Sequence, residues 1–350
     1  MKQKNLYVIL LAILLVVSAV AYFASNSKPA APAQLTEEVK LTEMPVTEIA
    51  MSGPASTPEA EFSGLAWYGE NLIMLPQYPN IFDESGDGQL FYLPKAELSL
   101  YIGGARGAPI EPRPIKLIAP NLTDQIRNYQ GFESIAFSGD RVFMTIEAGE
   151  GTDMMGYLIS GTINPDLSTL TLDTTKLAEI PPQAKSENHS DEAILIMDDK
   201  ILTFYEVTGK DIVSKPVVHV FDFDLNPQGT LPIDNLEYRL TDIAMGFGNT
   251  IWGINYFFPG DEDLMPSSDP ILERFGTGET HAKFPQVERL IRYQYSDAGL
   301  TLVNSKRPIY LTLTEDIRNW EGLVVLDTAG LIMVTDKFPR TILAFVPIPR

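Results

Sequence analysis

A five-bladed β-propeller is the fold this sequence predicts, and three observations lead to it. Helical periodicity is scarce beyond residue 24. In its place stands an alternating strand pattern broken by Gly, Asp, Asn and Pro turns. One hairpin then recurs five times along the chain, and four-stranded units arrayed around a channel are what a propeller is built from.

Residues 1–5, "MKQKN", form a basic flank, and residues 6–24, "LYVILLAILLVVSAVAYFA", run without a charge. Nineteen apolar-rich residues suffice to cross a bilayer as a helix, and the basic flank would stay inside. The segment reads as a transmembrane signal-anchor, or as a signal peptide cleaved after Ala19-Val20-Ala21. Either way the C-terminal domain is expected outside the cytoplasm, tethered to the membrane as a single-pass protein or secreted if the signal is cleaved. Residues 25–61 are rich in Pro, Ala, Ser and Glu and are expected to be a flexible linker, from which the segment "EVKLTEMPV" would donate a closing strand. The propeller itself is expected over 62–350.

The hairpins start at Phe62 ("FSGLAWYGENLIMLPQ"), within residues 130–147 ("QGFESIAFSGDRVFMTIE"), at Asp191 ("DEAILIMDDKILTFYE"), at Leu240 ("LTDIAMGFGNTIWGIN") and at Trp320 ("WEGLVVLDTAGLIMVTD"). Their end positions pair as Ser63/Gln77, Glu133/Glu147, Glu192/Glu206, Thr241/Asn255 and Glu321/Asp336. Further strand-like segments between hairpins bring each unit to about four strands, while "TILAFVPIPR" leaves the last unit one strand short. The long 241–321 interval is read as a blade with a loop insertion; a sixth blade there, or a β-sandwich, are the alternatives.

Composition narrows the function. The 350 residues carry 26 Lys+Arg against 46 Asp+Glu, a net charge of −20, so no nucleic acid is expected as a partner, because phosphate binding needs a basic footprint. The absence of cysteine excludes disulfides, thiolate metal sites and a Cys nucleophile. A monomer is expected.

In a propeller the first strand of each blade lines the channel and the second runs back beside it, so the ten end positions would gather at one channel mouth. Six carboxylates would then meet there: Glu133, Glu147, Glu192, Glu206, Glu321 and Asp336. Such a cluster must hold protons, take counter-charges or bind a cation, and hard oxygen donors of this kind suit Ca²⁺. The expected metal ligands are Glu133, Glu192, Glu321, Asp336 and Asn255; a mouth filled only with water is the alternative. Glu147 or Glu206 would serve as general base for a water attacking an ester. Arg127 and Arg318, in the repeated "IRNY" and "IRNW", would clamp an anionic substrate with their planar guanidinium forks. His189 is expected in a surface or turn role. The non-catalytic alternative is a binding propeller for a glycan or an envelope partner, with Trp67, Tyr78, Tyr129, Trp252 and Trp320 available for stacking.

"FSGLAW", "NYQGFESIAF…MTIE", "SDEAILIMDDKILTFYEV" and "NWEGLVVLDTAGLIMVTDKFPRTILAF", in this order over residues 62–346, resemble the phytase-like propeller family, whose domain is described by the esterase-like activity of phytases. The resemblance implies an exported propeller acting as a calcium-assisted ester or phosphoester hydrolase on a small anionic ester. Two departures stand out: Asp336-Lys337-Phe338 where an Asp-Asn-Asn-like run is expected, and Ser134 where Gly is usual.

Overall fold

The inner hairpins build a ring. In the computed structural model, which describes residues 41–83 and 86–349, each of the five repeats forms the two innermost strands of an antiparallel four-stranded blade. Blade 1 comprises Phe62–Tyr68, Asn71–Pro76, Gln89–Pro94 and Arg113–Ile118; blade 2 comprises Tyr129–Ser138, Arg141–Glu150, Asp153–Ile163 and Thr169–Ile180. Blade 3 comprises Asp191–Met197, Lys200–Tyr205, Val217–Asp222 and Pro227–Pro232. Blade 4 comprises Arg239–Met245, Thr250–Phe257, Val287–Ser296 and Gly299–Leu302, with the short strand Ile309–Tyr310 added on its third strand. Blade 5 comprises Trp320–Leu326, Gly330–Thr335 and Leu343–Pro347, and Thr47–Ile49 completes it by pairing antiparallel with Leu343–Phe345. Each innermost strand packs beside its two neighbours, and that of blade 5 returns to that of blade 1, so the ring is closed.

The innermost strands read as near-continuous apolar runs rather than alternating ones because both of their faces are covered by adjacent blades. Five core clusters fill the five joints. Leu75, Ile115, Phe132 and Met144 meet between blades 1 and 2, and Phe143, Leu158, Ile194 and Phe221 between blades 2 and 3. Phe204, Ile243 and Tyr293 fill the third joint, Tyr256, Trp320 and Met333 the fourth, and Phe62, Phe91, Ile332 and Leu343 the fifth. At one end of the channel the innermost strands contribute three residues each, from Leu65-Ala66-Trp67 round to Leu323-Val324-Val325, to a mostly apolar cavity of about 220 Å³. Five equal contributions to one cavity leave no place for a sixth blade.

The closing strand is Thr47–Ile49, directly after "EVKLTEMPV"; Leu41 and Met44 of that segment instead bridge to Gly278 and Leu311 at blade 4. Residues 41–61 are therefore laid onto the propeller rather than free of it. Within this segment the Glu43 carboxylate accepts hydrogen bonds from the Thr280 and His281 backbone amides, from Thr280 Oγ1 and from the His281 ring. Burial alone would raise its pKa, but those hydrogen bonds outweigh it and hold it below the usual range. The long fourth interval is an insertion within blade 4, carrying the short helix Pro270–Phe275, capped by the Asp269 side chain on the Ile271 and Leu272 amides. No helix among the described residues is long and apolar enough to cross a membrane; the expected span at 6–24 lies outside them.

Candidate functional site

Every innermost strand is bulged at the same place. The register slips between Phe62 and Gly64, Phe132 and Ser134, Asp191 and Ala193, Leu240 and Ile243, and Trp320 and Gly322. The residues set aside by the slips are Ser63, Glu133, Glu192, the pair Thr241-Asp242, and Glu321. A bulge re-aims a side chain that regular pleating would bury in a blade joint. Ser63, Glu133, Glu192 and Glu321 accordingly line one cavity of about 250 Å³ together with Gln77, Glu147 and Asp336, the partner ends of their hairpins. Tyr78, Asn188, Arg239, Asn319, Glu61 and Lys337 complete the wall. Seven of the ten end positions thus meet at one mouth.

Blade 4 is the exception. Thr241 Oγ1 donates to the Trp320 carbonyl at 2.6 Å. Asp242 turns inward and accepts from the Ile243 amide at 2.8 Å and the Leu323 amide at 2.6 Å, tying blade 4 to blade 5. Burial pushes its carboxyl well above the usual range despite these bonds. Asn255, expected as a metal ligand, is fully buried and fully used: its Nδ2 donates to the carbonyls of Glu237 and Arg239, and its Oδ1 accepts from Arg289 Nε at 2.9 Å. It does not reach the mouth.

The expected anion clamp does not form either. Arg127 is exposed and does not line the well. Arg318 is buried against Glu288, with Nη2 to Oε2 at 2.6 Å and Nε to Oε1 at 3.2 Å, and Trp320 Nε1 shares the same carboxylate at 2.7 Å. Two cations do reach the mouth, Lys337 and Arg239, and of these sequence reasoning passed over Arg239. Its Nη1 donates to Glu206 Oε1 at 2.7 Å and its Nε to Asp261 Oδ2 at 2.8 Å, so it links blade 3 to the insertion of blade 4. The available signal was its position two residues before the blade 4 start at Thr241. Of the aromatics, Tyr78 lines the well; Trp67 lies at the apolar end of the channel, Trp252 on a separate cavity, and Trp320 is buried in the joint between blades 4 and 5.

Electrostatics follow from burial. Glu133, Glu192 and Glu321 are pushed well above the usual carboxylate range, first by desolvation and then by each other and by Glu147, Glu206 and Asp336. Asp336 is raised by burial. Glu147 is pushed up to about 7 by burial and by the charge of Glu206. Gln77 Nε2 donates to Glu133 Oε1 at 3.2 Å. Three buried carboxylate oxygens, Glu147 Oε2, Asp191 Oδ2 and Glu206 Oε2, have no hydrogen-bond partner among the described residues. His189 Nε2 is in the same condition, 3.8 Å from Glu206 Oε2, while its Nδ1 meets Ser186 Oγ at 2.6 Å. Burial lowers the pKa of the His189 ring, which keeps it neutral.

Outside the well lies a polar vestibule of about 790 Å³, bounded by residues 185–189 on one side and Asp261–Leu264 of the insertion on the other. Asn188 and Arg239 line both spaces. Although six carboxylates line the well, no three His, Asp or Glu side chains among the described residues are grouped as a metal site.

No family model matches the chain, and no curated protein matches it. Solved structures do. A mutant of the GH32 β-fructofuranosidase BmSUC1 of Bombyx mori, in complex with sucrose, is similar at 11% identity and a TM-score of 0.46, over 87% of this chain and 60% of that one. CoXyl43, a GH43 β-xylosidase/α-arabinofuranosidase from a compost metagenome, is similar at 11% identity and a TM-score of 0.47, over 86% of this chain and 94% of that one. A mutant α-L-arabinanase of Cellvibrio cellulosa is similar at 9% identity and a TM-score of 0.43, over 83% and 92%. The chain spans about 60% of the silkworm enzyme's length. What is shared is the fold. The phytase-like resemblance is therefore corrected: no family model supports it, and the neighbours in fold are GH32 and GH43 glycoside hydrolases. The motifs that carried it are the bulged inner hairpins, whose Gly is a packing requirement. A Cβ at Gly322 would stand 2.7 Å from Val334 Cγ1 and 2.8 Å from Leu65 Cγ.

Proposed function

We propose that the acid well is the centre of a hydrolase that acts by general acid–base catalysis on a neutral, hydroxyl-rich substrate of the carbohydrate class. One observation carries the reading: Glu147, raised to about 7, stands among carboxyls that burial keeps protonated, in a cavity opening on a wider polar vestibule. Carboxyl groups in both protonation states are good partners for sugar hydroxyls. An anionic ester fits poorly, because the two cations of the well are already engaged, Arg239 by Glu206 and Asp261 and Lys337 by Glu61 at 3.2 Å.

In this reading Glu147 gives its proton to the leaving oxygen as the bond breaks. Glu206, fully buried and ion-paired through Oε1, supports the proton on Glu147 by its charge. Glu133, Glu192, Glu321 and Asp336 orient hydroxyls. Calcium enters only as a competitor for the protons of the well, and no step runs through it. The site works outside the cytoplasm if residues 6–24 direct export as the sequence suggests.

The test sets neutral p-nitrophenyl glycosides beside p-nitrophenyl phosphate and acetate with the full chain. Turnover is expected for a glycoside, with Glu147→Gln lowering kcat by about 10²–10⁴-fold. Turnover of the phosphate alone, or glycoside turnover untouched by Glu147→Gln, would sink the assignment. Saturable glycan binding without turnover would leave a binding propeller in its place.

A further inference from the structure

We propose that a second cavity, built on blade 4 and sharing no lining residue with the well or the vestibule, binds a small amphipathic carboxylate, its hydrocarbon part on Trp252 and its carboxylate on Arg292 and Arg307. The cavity measures about 300 Å³, at the lower end of the range for small-molecule sites. Met44, Trp252, Ile309 and Ile348 give it an apolar wall, and Arg292 and Arg307 give it two cations.

The strands make this juxtaposition. Trp252 and Arg292 are cross-strand partners in blade 4, and the guanidinium lies over the indole at 5.0 Å from the ring centre. Arg292 Nη2 donates to the Arg307 carbonyl at 2.9 Å, which holds both residues on the same cavity. Thr42 and Met44 approach because Met44 is stitched to Tyr310 and Thr312 through its backbone.

The charge pattern is what calls for a ligand. Acids outnumber bases 46 to 26 in this chain, yet neither Arg292 nor Arg307 forms an ion pair among the described residues. The other deeply placed arginines, Arg239, Arg289 and Arg318, each hold a carboxylate within 2.8 Å. Arg292 is half-buried, and desolvation draws its pKa below the ordinary arginine value, the mark of a cation without its counter-charge. A planar guanidinium matches a carboxylate bidentately. Inorganic phosphate would satisfy the charge but leave the apolar wall uncovered, and a hydrocarbon would do the reverse.

The test is calorimetric titration of the full chain with 2-naphthoate, with 2-naphthamide as the uncharged control. The expected result is saturable one-to-one binding of the naphthoate and at least tenfold weaker binding of the amide. Arg307→Gln, at an exposed position, should weaken naphthoate at least fivefold, as should Arg292→Lys, whereas Arg274→Gln, an arginine outside this cavity, should leave it unchanged. No saturable binding, equal binding of the amide, or binding indifferent to Arg292 and Arg307 would overturn the proposal. So would arginine-dependent binding to phosphatidylglycerol vesicles in place of naphthoate, which would make the patch a lipid-facing surface.

Discussion

Glu147 and Arg239 set the chemistry of the mouth between them. Burial and the charge of Glu206 push Glu147 up, and Arg239 pulls it down. If Glu147 is the general acid, the rate falls as pH rises through about 7, because the proton to be donated is lost. Arg239→Gln should move that falling limb to higher pH, since the one cation opposing protonation is gone. The same change leaves Glu206 and Asp261 without their shared cation and should cost about 3–5 kcal/mol of stability. A pH–rate profile beside a denaturant melt checks both, and a limb that moves down would refute the assignment of Arg239. At this scale the sequence was only partly legible. Of the six carboxylates it grouped, five line the well and Glu206 is buried away from it; the hairpin ends are readable because their spacing is fourteen residues in four repeats and fifteen in the last. It misjudged the arginines, because whether a guanidinium faces a channel or a buried Glu288 depends on a partner thirty positions away.

The bulged inner hairpin is the unit that turns this repeat into a site. Without the register slip, Glu133 and Glu321 would alternate into the joints between blades, where an unpaired carboxylate is intolerable. The slip requires room, and Gly131 supplies it at the mouth of blade 2. Its φ is +126°, and a Cβ there would collide with the Gln77 side chain and approach its carbonyl at 2.9 Å. Gly131→Ala should therefore destabilise by at least about 1–3 kcal/mol from backbone strain alone and disturb the Gln77–Glu133 hydrogen bond. Thermal melting of the variant measures the first; an unchanged Tm would show that the loop relaxes freely. The repeat showed where the acids would lie along the chain, but nothing in it revealed the bulge. An extra residue in a strand is invisible to a period-two pattern unless the pairing partner is known. The same blindness explains Asn255 and Thr241, which occupy the aligned positions in blade 4 but spend their polar groups on neighbouring backbone and, for Asn255, on Arg289.

Across the whole molecule, five joints are closed by apolar clusters while protons are stored at one mouth. Glu133, Glu147, Glu192, Glu321 and Asp336 all carry raised pKa values, so between roughly pH 4.5 and 7 the folded chain holds protons that the unfolded chain has released. Stability is then full on the acid side of the ordinary carboxylate range and declines as pH climbs through 7. The contribution of Glu147 alone is on the order of 3 kcal/mol. Tm measured from pH 5 to 8 should fall, and Glu147→Gln should flatten the slope; a rising Tm would contradict the buried, protonated well. Blade number was readable from the repeat, whereas the closing strand was placed a few residues early, because a three-residue strand carries almost no pattern of its own. One joint differs in kind from the other four. The outer strands of blades 1 and 2 are themselves zipped together, Lys116 to Ile118 running parallel beside Thr169 to Thr171, so those blades form one continuous eight-stranded sheet. A ring welded at one seam can breathe only at the rest. Amide protons at 116–118 and 169–171 should exchange in step with the cores of both blades. Partial opening of the molecule should begin on the opposite side, where blades 3, 4 and 5 are held by side chains and isolated bridges rather than by a shared sheet.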